Sequence, residues 1–165
     1  MKKTTRTILG AAAVSLAALA CGAMAQAPVL QKAYCVHVGI NPMEPVGDRP
    51  GHALQVLNYS CRTEGGPMDG GVMTGTNITE WDAGKGVVLS GAGVGRKAGA
   101  LASFQVIDGL TVLTMVDGKV TGMTSSGRGV MKHASGTASS LNGKTYSHVV
   151  RVLNPSQFVI ETTYD

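Results

Sequence analysis

The feature that most constrains the fold is the lack of an amphipathic helical period beyond the first 25 residues. Short runs rich in valine, isoleucine and threonine recur along the chain, separated by Gly, Asp or Asn. Of the 23 glycines only Gly10 and Gly22 lie in the first 25 residues, which leaves 21 in the remainder. Short extended runs bounded by turn residues are typical of β-strands. The sequence therefore predicts an all-β protein.

The first 25 residues have the pattern of a bacterial signal peptide. Three basic residues precede a short apolar run over 8–20, and Ala23-Met24-Ala25 provides a signal peptidase site. We expect cleavage after Ala25, a single domain over 26–165, and a periplasmic or secreted protein. The apolar run is too short for a membrane span, so the mature chain is expected to have no transmembrane segment. Lipoprotein processing at Cys21 stays open as an alternative.

The net charge gives no electrostatic reason to bind nucleic acid. The chain has 14 basic and 10 acidic residues, and three of the basic ones lie in the signal peptide. The mature chain is left with 11 basic against 10 acidic residues. Nucleic-acid binding depends on a clear excess of positive charge. We therefore expect no nucleic-acid partner.

Two cysteines remain after cleavage, Cys35 and Cys61. An even count in an oxidising compartment favours one disulfide. The alternative is a free nucleophilic Cys35 beside His37, since residues two apart on a strand share a face.

The stretch 101–124 predicts a three-stranded meander. Asp108-Gly109 and Asp117-Gly118 are two-residue turn signals between apolar runs. The resulting register predicts an inward face of Ala102, Phe104, Val106, Leu113, Met115 and Val120. The opposite face is also apolar, with Leu101, Leu110, Val112 and Val116. Another part of the chain or a second subunit would cover it, so a homo-oligomer is a candidate assembly.

Further strands are predicted over 33–39, 53–61, 72–81, 85–91, 127–134, 144–153 and 157–164. The segments 41–52 and 62–71 are predicted loops, and Asn142-Gly143 marks another turn. About eight short antiparallel strands without helices predict a small β-barrel, with a sandwich as the alternative.

A glycine-rich stretch, "GAGVGRKAG" over 91–99, superficially resembles a phosphate-binding loop. The dinucleotide fingerprint needs its third glycine where Arg96 stands, and it needs a helix to follow. Neither requirement is met, so we expect no nucleotide and no other cofactor. The stretch is interpreted instead as a tight turn between two strands.

Within it, "GVGRKAGA" over 93–100 resembles the "GTGRFAGA"-type turn of the allene oxide cyclase and dirigent-like superfamily. The resemblance implies an eight-stranded antiparallel barrel. Some members cyclise oxidised fatty acids and others guide phenoxy radical coupling. No catalytic residue of those enzymes matches a position of this chain, so the catalytic residues are unknown and no activity is carried over.

Strand alternation nominates four ligand-binding candidates. In "KTYSHVVRV" the residues Tyr146 and His148 share the apolar face, and in "GRGVMKHA" the outward charges leave Met131 and His133 inward. Together they would form a polar patch in an apolar pocket. The alternative is a set of histidines hydrogen-bonded at one end of the barrel.

Two other groups of residues allow more than one interpretation. Four histidines and six methionines of the mature chain would suit copper, but none has a ligand-like spacing, so we expect no metal. Glu80 and Asp82 flank the single Trp81 and share a strand face, which predicts either a titrating pair or a solvated strand end.

These features predict a non-catalytic module that binds a small apolar ligand or a partner protein. One alternative is a cyclase or isomerase acting on a lipid-like substrate, based on the turn resemblance and the inward histidines. The other is an oligomeric structural protein that uses the outer face of 101–116.

Overall fold

The computed structural model describes residues 29–165, so the expected signal peptide and Cys21 lie outside the described residues. The elements are β1 (Val29–His37), β2 (Met43–Pro45), β3 (Ala53–Glu64), β4 (Val72–Asp82), β5 (Lys85–Lys97), β6 (Ala100–Val116), β7 (Lys119–Gly136), a 3-10 turn (Ser139–Leu141), β8 (Thr145–Asn154) and β9 (Gln157–Tyr164).

Eight of these strands form a closed antiparallel barrel. The order is β1-β9-β8-β7-β6-β5-β4-β3, and β1 pairs with β3 to close the ring. The short β2 lies outside the ring and pairs with β3. The predicted barrel is therefore confirmed over the sandwich. The predicted strands outside the meander all lie within strands of the structure, and several run longer than expected, such as β5, which continues to Lys97. The predicted strand 127–134 is not separate, because it forms one strand, β7, with the last strand of the meander.

The disulfide lies at the seam where the barrel closes. Cys35 of β1 is directly opposite Cys61 of β3, their sulfur atoms are 2.08 Å apart, and both residues are buried. The predicted disulfide is confirmed. It excludes the alternative of a free Cys35 nucleophile, because the sulfur is already bonded.

The predicted turn at Asp108-Gly109 is wrong. Both residues lie in the middle of β6, where Ile107 is the extra residue of a β-bulge between the pairs Val106–Gly129 and Asp108–Arg128. An ion pair of 2.6 Å between Asp108 Oδ2 and Arg128 Nη2 joins the two strands at this point. The chain therefore has a bulge where a reversal was expected.

The inward face of the meander survives this correction in part. Phe104 is buried and Leu113 lines the interior, as predicted. The bulge residue moves the inward positions from even to odd residue numbers, and the expected two-residue turn would have had the same effect. Met115 does not line the interior and is 52% exposed, since it belongs to the far end of the β6–β7 hairpin. Val120 lines the interior only at its open end, where it is 57% exposed. The turn at Asp117-Gly118 is confirmed, with φ of 50° and 74°.

The glycine-rich stretch is also placed differently from the prediction. Gly91, Gly93 and Gly95 lie inside β5, and the chain turns only at Gly99, whose φ is 71°. A Cβ on Gly93 would lie 2.3 Å from a Phe104 ring carbon and from the Thr74 carbonyl oxygen. The glycine is therefore required by close packing within the sheet.

The same arrangement recurs around the barrel. The Tyr146 ring lies over Gly129, and the His148 ring lies over Gly127. A large inward side chain on one strand thus occupies the space left by a glycine on its neighbour. This pairing explains how strands that are so rich in glycine still form a well-packed barrel wall.

One end of the barrel is closed by its connecting segments. Met68 from the β3–β4 connection and Leu141 from the β7–β8 connection pack where β4, β6 and β8 begin. Met68 is held by its carbonyl oxygen, which accepts hydrogen bonds from the Thr63 hydroxyl and the Gly71 amide. The buried cluster at this end is Met68, Ala102, Phe104, Met131, Ala138, Leu141, Tyr146 and Tyr164.

We expect Gly93→Ala to destabilise the protein by roughly 1–3 kcal/mol, because the added methyl group must displace Phe104 and the Thr74 backbone. The matched control is Gly122→Ala in β7, where the nearest atoms to the new Cβ would be 3.6 Å away. Urea denaturation of both variants measures the difference. Equal free energies of unfolding for the two variants would contradict the packing role of Gly93.

Candidate functional site

The barrel encloses a cavity of about 700 Å³. It extends from the buried cluster at the closed end to the opposite end of the barrel, where the lining residues His37, Val120 and Leu153 are exposed to solvent. The lining is mainly apolar, and its apolar residues include Leu57, Met73, Phe104, Val150, Phe158 and Ile160. The interior is therefore a pocket with one open mouth.

The β6–β7 hairpin projects beyond the rim of this mouth. Among the described strands, β6 pairs with β5 only as far as Val112, and β7 pairs with β8 only from Thr124 onward. The residues between these two positions pair only with each other. Several large apolar side chains near the mouth are more than half exposed. They are Met115, Val116 and Val120 of the hairpin, Ile40 after β1, and Leu153 of β8.

Three of the four predicted site residues line the cavity. Met131, Tyr146 and His148 face inward, as the alternation predicts. His133 is wrongly predicted, because it lies on the outer surface. Lys132 is the extra residue of a β-bulge between the pairs Ser103–His133 and Phe104–Met131, so the alternation reverses and Ala134 takes the inward place.

His148 is held neutral by its surroundings. Burial lowers the pKa of its imidazole, and the negative charge of Asp108 opposes this effect only in part. Its ring centroid lies 6.0 Å from that of Tyr146. Within the described part of the chain, Nδ1 of His148 is buried without a hydrogen-bond partner. His148 is therefore an uncharged polar residue of the cavity wall.

Three tyrosines contribute further polar atoms to the lining. Burial raises the pKa of Tyr59 and that of Tyr164 to about 12, and it raises the pKa of Tyr146 as well. The rings of Tyr146 and Tyr164 meet edge to face with centroids 6.2 Å apart. All three hydroxyls stay protonated near neutral pH, so these residues carry no charge into the cavity.

Two polar lining residues were missed from the sequence. Gln31 Oε1 and Asn77 Oδ1 are buried and, among the described residues, have no hydrogen-bond partner. The signal was present in the alternation, because Gln31 shares a face with Cys35, and Asn77 shares a face with Trp81. Both cysteine and tryptophan indicate an inward face. Other interior polar groups are paired, such as the Thr111 hydroxyl, which donates to Ser125 Oγ at 2.9 Å.

The acidic residues beside Trp81 each have a basic partner. Glu80 Oε1 is 2.9 Å from His52 Nε2, and Asp82 Oδ2 is 2.8 Å from Arg49 Nη2. The hydrogen bonds that the His52 ring donates to the carboxylates of Asp48 and Glu80 raise the pKa of His52. The two carboxylates are solvated at the end of β4, and each pairs with a basic residue rather than with the other carboxylate. These two ion pairs fasten the loop before β3 to the end of β4.

The described residues also limit other kinds of site. Across 29–165, no three His, Cys, Asp or Glu side chains are grouped so that they could hold a metal ion. In the same part of the chain, no helix has the length and apolar character needed to cross a membrane.

Comparisons with protein-family models, curated protein sequences and solved structures find no match to this chain. The resemblance of 93–100 to the allene oxide cyclase and dirigent-like superfamily therefore stays a prediction. The chemistry of the site has to be argued from its own residues.

We expect His148→Gln to flatten the pH dependence of stability below pH 6.5, the ordinary histidine pKa. The unfolded chain takes up a proton there, whereas the folded protein resists protonation until the pH reaches its lowered pKa. Stability is therefore fully present above pH 6.5 and is lost as the pH falls through this window. Urea denaturation at several pH values measures the effect. His133→Gln, on the exposed outer surface, should keep the wild-type profile, and a variant at His148 with that same profile would contradict this assignment.

Proposed function

We propose that the protein binds a small apolar molecule inside the barrel. The observation that carries this proposal is the cavity of about 700 Å³ with a mainly apolar lining, a closed end and one open mouth. Pockets for small molecules typically have volumes of about 300–1,000 Å³ and a few polar groups on an apolar lining. Both properties fit this interior.

The binding energy would come from removing apolar surface from water. Each Å² of apolar surface that is buried contributes about 25 cal/mol. The side chains of Leu57, Phe104 and Ile160 provide such surface on three different strands. The exposed apolar residues at the mouth would give an apolar ligand a path into the cavity that avoids charged groups.

This proposal predicts that the neutral fluorescent probe N-phenylnaphthylamine binds the protein with increased emission. We expect Val150→Phe, which places a larger side chain in the cavity, to weaken binding roughly tenfold or more because it fills space that the probe needs. Fluorescence titration measures the dissociation constants.

The matched control is Val149→Phe on the same strand, because Val149 faces outward. It should bind the probe like the wild type, and circular dichroism verifies that both variants fold. The absence of binding to the wild type, or equal binding by the two variants, would overturn the proposal.

The enzymatic alternative of a cyclase or isomerase has less support. It relied on two inward histidines, and only His148 lines the cavity, while His133 is outside. A proton relay between these two residues would have to cross the barrel wall. The binding function needs no such pair.

A second candidate function is association with another copy of the chain. Val87 and Leu89 of β5 lie beside Ile107 and Leu110 of β6 on the outer surface, and each is about half exposed. A contiguous apolar surface of this kind is typical of protein–protein contacts. This surface belongs in part to the outer face of 101–116.

If this surface joins two copies, Leu110→Lys should shift the protein from dimer to monomer in sedimentation analysis, because a charge would be buried at the interface. The control is Thr163→Lys on β9, which three strands separate from β5 in either direction around the ring. A wild-type protein that sediments as a monomer at every concentration tested would exclude this candidate.

A further inference from the structure

The cavity lining carries no formal charge. Among the described residues, those that line the cavity include no Asp, Glu, Lys or Arg. His148 is neutral because burial lowers its pKa, and the remaining histidine, His37, lies at the exposed mouth. An ionised group on a ligand would therefore lose its hydration inside the barrel without meeting an opposite charge.

The lining nevertheless contains polar atoms that lack partners. Gln31 is only 5% exposed, and its Oε1 has no hydrogen-bond partner within the described part of the chain. Asn77 is half-buried, and its Oδ1 also has no hydrogen-bond partner there. Buried polar atoms are nearly always hydrogen-bonded in folded proteins, and an unpartnered one is destabilising. Both oxygens are themselves covered in the barrel wall, so a ligand donor reaches them only when the amide side chain turns toward the cavity. After such a turn, the two carbonyl oxygens are acceptors that a ligand could satisfy.

The unpartnered atoms are distributed around the cavity. Gln31 on β1 and His148 on β8 both lie opposite Thr162 of β9, so they belong to one row of the barrel wall. Asn77 lies on β4, and three strands lie between β4 and β8 in either direction around the ring. The amide side chains of Gln31 and Asn77 therefore belong to different parts of the cavity wall, with apolar lining residues between them.

We propose that the ligand is an uncharged, mainly apolar molecule whose hydroxyl or N–H groups donate hydrogen bonds to Gln31 Oε1 and Asn77 Oδ1. This inference rests on the proposed binding function and specifies the class of ligand. It separates alcohols and amides of apolar molecules, which are uncharged and can donate a hydrogen bond, from their carboxylate counterparts. It also distinguishes them from purely apolar compounds, which leave both oxygens unpartnered.

The test is displacement of N-phenylnaphthylamine from the full mature protein by three competitors with the same alkyl chain: decanol, its methyl ether and decanoate. We expect decanol to compete roughly fivefold to tenfold better than the ether, because only the alcohol can donate a hydrogen bond. Hydrophobicity alone would favour the ether. Decanoate should be weaker than decanol by on the order of a hundredfold near neutral pH.

Two substitutions connect this preference to the named atoms. Gln31→Met and Asn77→Leu keep approximate side-chain size while removing the amide, so each should reduce the advantage of decanol over its ether. Each should also raise the melting temperature of the ligand-free protein, since a buried unpartnered atom is removed. Thr74→Val on the outer face of β4 is the control and should leave the preference unchanged.

The outcomes separate the two proposals. If the wild type does not bind N-phenylnaphthylamine at all, the binding function itself is wrong. If the probe binds but decanoate or the ether competes as well as decanol, binding stands and the assignment of a neutral donor ligand is overturned. A preference for decanol that survives in both amide variants also overturns the role of Gln31 and Asn77.

Discussion

The rest of the structure depends on the pairing of β1 with β3, which turns a sheet into a closed ring. These strands are neighbours in space, but the disulfide that joins them spans 26 positions of the sequence. Closing a loop of that size in the unfolded chain by a disulfide contributes about 3.5 kcal/mol in the chain-entropy model. Cys35 and Cys61 thus stabilise the contact whose loss would open the barrel and expose the edges of two strands.

Closure also explains why the strands carry so much glycine. A ring of eight strands has limited internal space, and large inward side chains on adjacent strands would collide. Phe104 beside Gly93 and Tyr146 beside Gly129 resolve this conflict by placing a ring on one strand against bare backbone on the next. The rings then lie along the wall, which is compatible with an open space along the barrel axis. Packing and cavity therefore have a common cause in the sequence.

The number of short strands without helices predicted the barrel, and the even cysteine count in an oxidising compartment predicted the disulfide. The alternation of residue types predicted the inward positions of Tyr146 and His148. It failed at bulges, because one extra residue reverses the alternation without changing the local composition. Lys132 is such a residue, and it carried His133 to the outside. Asp108-Gly109 failed for a related reason, since the pairing of Asp108 with Arg128 depends on a contact 20 residues away that local turn preferences do not contain.

The barrel interior differs from an ordinary core because it contains buried polar atoms without hydrogen-bond partners among the described residues. A core selected only for stability would fill its space and replace Gln31 and Asn77 by apolar residues, since each substitution removes a destabilising buried atom. The barrel instead keeps both amides in the wall of a cavity, while other lining groups such as Thr111 and Ser125 are paired with each other. Local departures from the rules of stable packing are expected where a protein binds something. The cavity and the two amides are independent departures of this kind, and they occur in the same place.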